Sequence, residues 1–218
     1  MVLNRVLKQG RPIALHMTAL LPLVWLIWDV LRGNLSLNPY ENLIRRTGQA
    51  AVFMLILTLF STPLSSWLNR PSILVFRKPL GLYTFFYALL HISIFIVMGF
   101  KANLVTATRE ILARSNLTLG LFAFLILLIL AATSNRVSQK KLTKYWKKIQ
   151  YLIYPAALLI GSHYFMARKA PTPESVLAAV VIASLLLVRL SGFTRSKNNL
   201  LQTNDKNLSR DQKPAPGN

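Results

Sequence analysis

Apolar positions in this chain come in blocks rather than in alternation. Six runs, at about residues 13–31, 49–67, 80–100, 117–134, 149–167 and 175–190, hold few charged side chains. At about 1.5 Å rise per residue, a helix of about 20 residues crosses a hydrocarbon core of roughly 30 Å. A helix also satisfies its own backbone polar groups where no water can do so. The pattern therefore predicts an all-α polytopic membrane protein with six transmembrane helices in a bundle. Punctuation agrees: Asn38-Pro39, Pro71 and Pro79 precede the second and third spans, and Pro171 and Pro173 precede the sixth. Pro63 and Pro155 fall inside predicted helices, which neighbouring groups make tolerable in a membrane. No repeat of fixed period and no separate soluble domain is apparent.

Charge sets the expected orientation. The first run follows Arg5, Lys8 and Arg11 and lacks a small-residue cleavage site, so it is read as a retained span rather than a signal peptide. With the N-terminus inside, 18 of the 26 Lys and Arg fall on the inner side and 8 on the outer side, where Glu41, Glu110 and Glu174 also lie. That bias puts both termini in the cytoplasm. The expected organisation is a cytoplasmic N-terminus over residues 1–12, the six-helix domain over 13–192, and a polar tail over 193–218, rich in Asn, Lys, Ser and Pro and expected to be disordered. Outer loops near 32–48, 101–116 and 168–174 are the expected docking surface. A net charge of +20 would suggest nucleic acid in a soluble protein. Here the cations sit between apolar spans, so no nucleic-acid partner is expected and the partner is the lipid bilayer. Cysteine is absent, which excludes disulfides, zinc-thiolate sites, iron–sulfur clusters and covalent c-type haem attachment.

All three histidines, His16, His91 and His163, fall in predicted spans. An ionisable side chain at membrane depth is by default a functional hypothesis; the plain alternative is a neutral imidazole bonded to a neighbouring helix. The third and fifth spans run in the same direction, with His91 about 11 and His163 about 14 residues from their inner ends, so the two rings stand at similar depth. Two imidazoles at one level, with no thiol or carboxylate there, can supply both axial ligands of one haem, whereas zinc would want three or four protein ligands. Iron ligated on both sides has no position for a substrate and transfers electrons. Tyr83, Phe85, Phe86 and Tyr87 before His91, and Tyr164 and Phe165 after His163, suit a flat apolar macrocycle or ordinary packing. His16 lies nearer the inner side and is read as a second cofactor contact, a quinone contact or a helix bridge. Asp29 is read as a solvated helix terminus, or a proton or quinone contact. Arg77 and Lys78 are candidate contacts for haem propionates or a flavin phosphate, against the plain reading of inside-positive charge.

The segments "ALHMTALLPLVWLIW", "NLIRRTGQAAVFMLILTLFSTPL", "FRKPLGLYTFFYALLHISIF", "LTLGLFAFLILLILAATSN" and "KKLTKYWKKIQYLIYPAALLIGSHYF" occur in this order between about residues 12 and 190. Together they resemble the haem-binding membrane subunits of periplasmic protein-methionine-sulfoxide reductase systems, the MsrQ/YedZ family of the ferric-reductase-like transmembrane group. The resemblance implies a six-helix inner-membrane haem b protein. It would take electrons from the quinone pool, or from a cytosolic flavin reductase with FMN as a further cofactor, and pass them to a periplasmic molybdopterin enzyme that reduces methionine sulfoxide. Sulfoxide chemistry would then occur on the partner. His91 and His163 match the family's main haem-ligand positions and His16 its first-span histidine. The family often has another histidine several turns before the second ligand, at the position that Gln150 occupies in this chain; an amide is a poor iron ligand, so the resemblance does not extend to a second, inner haem. Two other classes stay open at this point: a ferric-reductase-like oxidoreductase acting on metal ions or oxygen, and a non-redox transporter or assembly factor.

Overall fold

The computed structural model describes residues 2–35, 37–167, 172–189 and 191, with side chains from residue 13 onward. Among these residues every regular element is helical. Helix α1 covers Val2–Leu31 and α2 covers Pro39–Trp67. After a 3-10 segment, Pro71–Phe76, comes α3, Arg77–Ile94, which continues through a π-helical turn, Phe95–Gly99. Helices α4 (Leu104–Ala113), α5 (Ser115–Ala132), α6 (Arg136–Gln150) and α7 (Ile153–Met166) follow, and α8 runs over residues 173–189. The tail over 193–218 and Pro171 lie outside the described residues.

Four segments, Ile13–Leu31, Pro39–Trp67, Pro71–Gly99 and Ser115–Ala132, are long and apolar enough to cross a membrane. Each covers all or nearly all of one of the first four sequence-predicted runs. Helices α7 and α8 coincide with the fifth and sixth runs; α7 is shorter than its run, and local chemistry sets the start of each. Tyr151 and Leu152 form a turn, so α7 starts at Ile153 and Pro155 sits in its first turn, where the missing N–H removes no helical bond. This corrects the expectation that Pro155 lies in a helix interior. Pro63 is inside α2, as expected. Thr172 starts α8: its Oγ1 accepts from the Ser175 N–H at 3.3 Å and its own N–H donates to Ser175 Oγ at 3.0 Å.

Hydropathy missed what is helical but polar. Helix α2 begins well before the expected position, because the Asn38 side chain accepts from the Glu41 N–H and Pro39 occupies the first turn. The loop expected at 101–116 contains α4, capped by Asn103, and the basic stretch after residue 135 is α6, capped by Asn135 and kinked at Thr143. Trp146 Nε1 donates to the Thr133 carbonyl at 3.0 Å and the Gln150 amide to Thr133 Oγ1 at 3.3 Å, which anchors α6 on the end of α5.

Packing falls into two clusters. Val52, Leu55 and Leu59 of α2 meet Leu127 and Leu130 of α5, Ile153 and Ala157 of α7, and Ile182 and Leu185 of α8. Ala50 and Met54 meet Ala19 of α1 with Leu80 and Tyr87 of α3. Small residues allow close approach where lipid removes the hydrophobic drive: Ala156 and Ala157 are fully buried, and Gly161 lies against Ile182. The outward apolar side chains of α1, among them Met17, Leu21 and Trp25, stay exposed, as lipid-facing positions do. Tyr87, 1% exposed, donates its hydroxyl to the Ala19 carbonyl at 2.7 Å and ties α1 to α3. Tyr87→Phe should cost about 1 kcal/mol. For a chain of this size that lowers the melting midpoint by about 2–4 °C; an unchanged midpoint in detergent would mean that this bond contributes nothing.

Candidate functional site

Helices α2, α3, α5 and α7 bring His91 and His163 together. The ring centres are 6.3 Å apart and the planes stand at 84°. His91 donates Nδ1–H to the Ile44 carbonyl at 2.8 Å, and His163 donates Nδ1–H to the Asn116 carbonyl at 2.7 Å. A carbonyl can only accept, so the proton of each neutral ring is on Nδ1 and Nε2 keeps its lone pair. Such a second hydrogen bond fixes the tautomer and raises the ring's basicity as a metal ligand.

Glycine makes this geometry available. In a helix, the carbonyl of residue i lies beside residue i+4, so a ring bonded to the Ile44 carbonyl must pass over position 48, and one bonded to Asn116 must pass over 120. Both positions are glycine. A Cβ at Gly48 would lie 3.1 Å from His91 Nδ1 and Cε1, and one at Gly120 would lie 2.9 Å from the same atoms of His163. Ile44, Gly48 and His91 recur as Asn116, Gly120 and His163, all three shifted along the chain by the same interval. The expectation of no fixed repeat is corrected to this extent: two helix pairs, α2–α3 and α5–α7, position their histidines by the same device.

The two rings line a cavity of about 590 Å³. Its walls are apolar, from Val52, Ala88, Phe95, Leu121, Phe124 and Ile160. Its mouth is polar, with Arg45, Gln49, Arg114 and Glu174. Gln49 donates to Glu174 at 2.8 Å across α2 and α8, and Arg114 pairs with Glu110. Among the described residues no three His, Cys, Asp or Glu side chains gather closely enough to hold a metal. A metal bound between His91 and His163 must therefore bring its other ligands with it, as iron does in a porphyrin. Two metal–imidazole bonds of about 2 Å, with roughly one further ångström from each nitrogen to its ring centre, give a separation of about 6 Å. The observed separation and the apolar cavity fit that group, whereas zinc would need one or two further protein ligands that do not gather there among the described residues.

The other sequence-predicted residues lie apart. His16 is exposed, and its Nδ1 is 2.9 Å from the Tyr83 hydroxyl, away from the cavity. Asp29 is not a solvated terminus: it is 8% exposed and ion-paired with Arg46, because the start of α2 folds back beside the end of α1. Arg77 is half-buried, Lys78 is exposed, and neither lines the cavity, whose mouth opens where α3 ends rather than where it begins. Arg45 and Arg114 are the cations there. Gln150 is engaged by Thr133. Sequence reasoning missed Gly48, Gly120 and the two carbonyls; the signal available was the equal Gly-to-His spacing in the two halves.

Residues 47–161 match the model of the family described as ferric reductase like transmembrane component. Curated relatives from Salmonella paratyphi B, Salmonella newport and Salmonella heidelberg, each named protein-methionine-sulfoxide reductase heme-binding subunit MsrQ, are 34% identical over 182 residues, covering 83% of this chain and 92% of theirs. No solved structure matches the chain. The family match over more than half of the chain, ending within α7 just before His163, and the identity along most of the sequence lead to one conclusion: the chain belongs to the ferric-reductase-like transmembrane family, in its MsrQ branch.

Proposed function

We propose that this chain is a haem b electron-transfer subunit of the bacterial inner membrane, passing electrons to a periplasmic molybdopterin-dependent methionine-sulfoxide reductase. The observation that carries the proposal is the facing His91–His163 pair, each ring held by a backbone carbonyl and turned into a cavity of porphyrin size. Relatives named as heme-binding subunits of that reductase system support the partner. The reading has six spans, with α7 and α8 joining the four longer ones, and the inner bias of Lys and Arg supports cytoplasmic termini.

A haem held here would supply one-electron chemistry. His91 and His163 would hold its iron, each ring keeping its proton on Nδ1 so that Nε2 is free to ligate and has no proton to give. The apolar walls would keep water from it. Arg45 and Arg114 at the mouth would hold its propionate carboxylates. Electrons enter from the quinone pool, or from a cytosolic flavin reductase. The exposed His16–Tyr83 pair, about 12 Å along α3 from His91, is the contact for a quinone head group.

The test is haem content and turnover on purified protein. One b-type haem per chain is expected, with dithionite-reduced protein reoxidised only when the periplasmic enzyme and an oxidised methionine substrate are both present. Absence of haem would leave a membrane protein without redox function. Gln150 precedes His163 by the same interval at which Lys78 precedes His91. Gln150→His should therefore leave the haem count at one, since its counterpart is no imidazole. A second haem in that single variant, with the first retained, would show instead that Gln150 is what keeps the wild-type chain at one.

A further inference from the structure

Arg189 lies on α8 at the end of the bundle where α2 ends and α3 and α7 begin. It is 7% exposed. Its Nη2 donates to Thr62 Oγ1 and to the Thr58 carbonyl, and its guanidinium carbon lies 5.9 Å from the centre of the Tyr154 ring, whose hydroxyl is also within electrostatic reach. Among the described residues Nε and Nη1 are buried and make no hydrogen bond of normal geometry, with the Tyr154 hydroxyl the acceptor beside the guanidinium. The charged side chain that acts most on this guanidinium is another cation, the half-buried Arg77. All four carboxylates among the described residues are at the opposite end: Asp29 pairs with Arg46, Glu110 with Arg114 and Glu174 with Gln49, and Glu41 lies in the first turn of α2.

A buried cation with idle donors and a like-charged neighbour is a costly arrangement unless an anion completes it. We propose that Arg189 and Arg77 form an oxyanion site for a phosphate group at this end of the bundle. Nε–H and Nη1–H point in different directions from the guanidinium. A planar carboxylate meets one edge of it, whereas the oxygens of a phosphate can accept from donors on several sides and balance two positive charges. Thr62 lies in the last turns of α2, about 7.5 Å of helix from its end, a depth that suits a headgroup phosphate as well as free phosphate. Half-buried Thr62, Tyr154 and Arg77 surround Arg189, so its route to the surface is short.

The experiment uses the full chain in dodecyl maltoside micelles, which contain no phosphate, and reads the melting midpoint. In one arm phosphatidylglycerol is mixed into the micelle; in the other, inorganic phosphate replaces chloride at constant ionic strength. A rise of several degrees in either arm, retained in part by Arg189→Lys and absent in Arg189→Gln, is expected; the arm that responds identifies a lipid headgroup or free phosphate as the source. Should Arg189→Gln not fold, Arg77→Gln, at a less buried position, should weaken the apparent affinity about tenfold or more. No response of the wild-type chain in either arm, or an equal response in the glutamine variants, would overturn the site.

Discussion

His91→Ala and His163→Ala each abolish the low-spin b-type signal in dithionite-reduced-minus-oxidised spectra, while His16→Ala retains it. The cavity offers iron two protein ligands, and no third His, Cys, Asp or Glu gathers with them among the described residues. Removing one imidazole therefore leaves an axial position that nothing in the apolar wall can fill. Changing a hydrogen-bond partner of a metal ligand already costs about 10- to 100-fold in affinity, and removing the ligand itself costs more. His16 bonds to Tyr83 on the outside of the bundle, so its loss removes no ligand. The plane angle adds a signature: rings at 84° place the ferric ion in a field of near-axial symmetry, so its resonance should be strongly anisotropic rather than rhombic. Full low-spin haem in either alanine variant would sink the ligand assignment.

Much of this was legible because membrane depth is written in one dimension. An apolar run gives a span, and counting the helical rise residue by residue along two spans of the same direction puts His91 and His163 at one level without knowing which helices touch. What needed the third dimension was not legible. Helices α4 and α6 are polar, so hydropathy passes over them, and only their Asn103 and Asn135 caps mark where they start. Asp29 and Arg46 look like two separate loop charges until the start of α2 folds back beside α1. Arg189 counts in the sequence as one more inner-side cation, although it is buried under α2 and α7. The Gly48–His91 and Gly120–His163 spacings become meaningful once α2 is known to pack on α3, and α5 on α7.

Those glycines carry the second large effect. In a helix interior, Gly→Ala ordinarily stabilises by about 1 kcal/mol, so on propensity alone Gly48→Ala and Gly120→Ala would gain stability. The site reverses that sign for cofactor binding. The new Cβ at 120 meets His163 at 2.9 Å, and the ring cannot swing aside without giving up its bond to the Asn116 carbonyl one turn earlier on the same helix. Losing that bond removes the group that orients the ring and strengthens its basicity, which predicts haem retention about 10- to 100-fold weaker and a higher reduction potential in what remains. At 48 the approach is 3.1 Å, tight but with more room to yield, so Gly48→Ala should do the same to a smaller degree. Haem titration of the purified variants against wild type, with melting of the haem-free proteins alongside, separates the two signs. A merely structural glycine would lower both stability and binding. A positioning glycine lowers binding and potential control while the haem-free chain melts no earlier. If both alanine variants bind haem as wild type does, the rings are not held by these carbonyls, and the paired device loses its role.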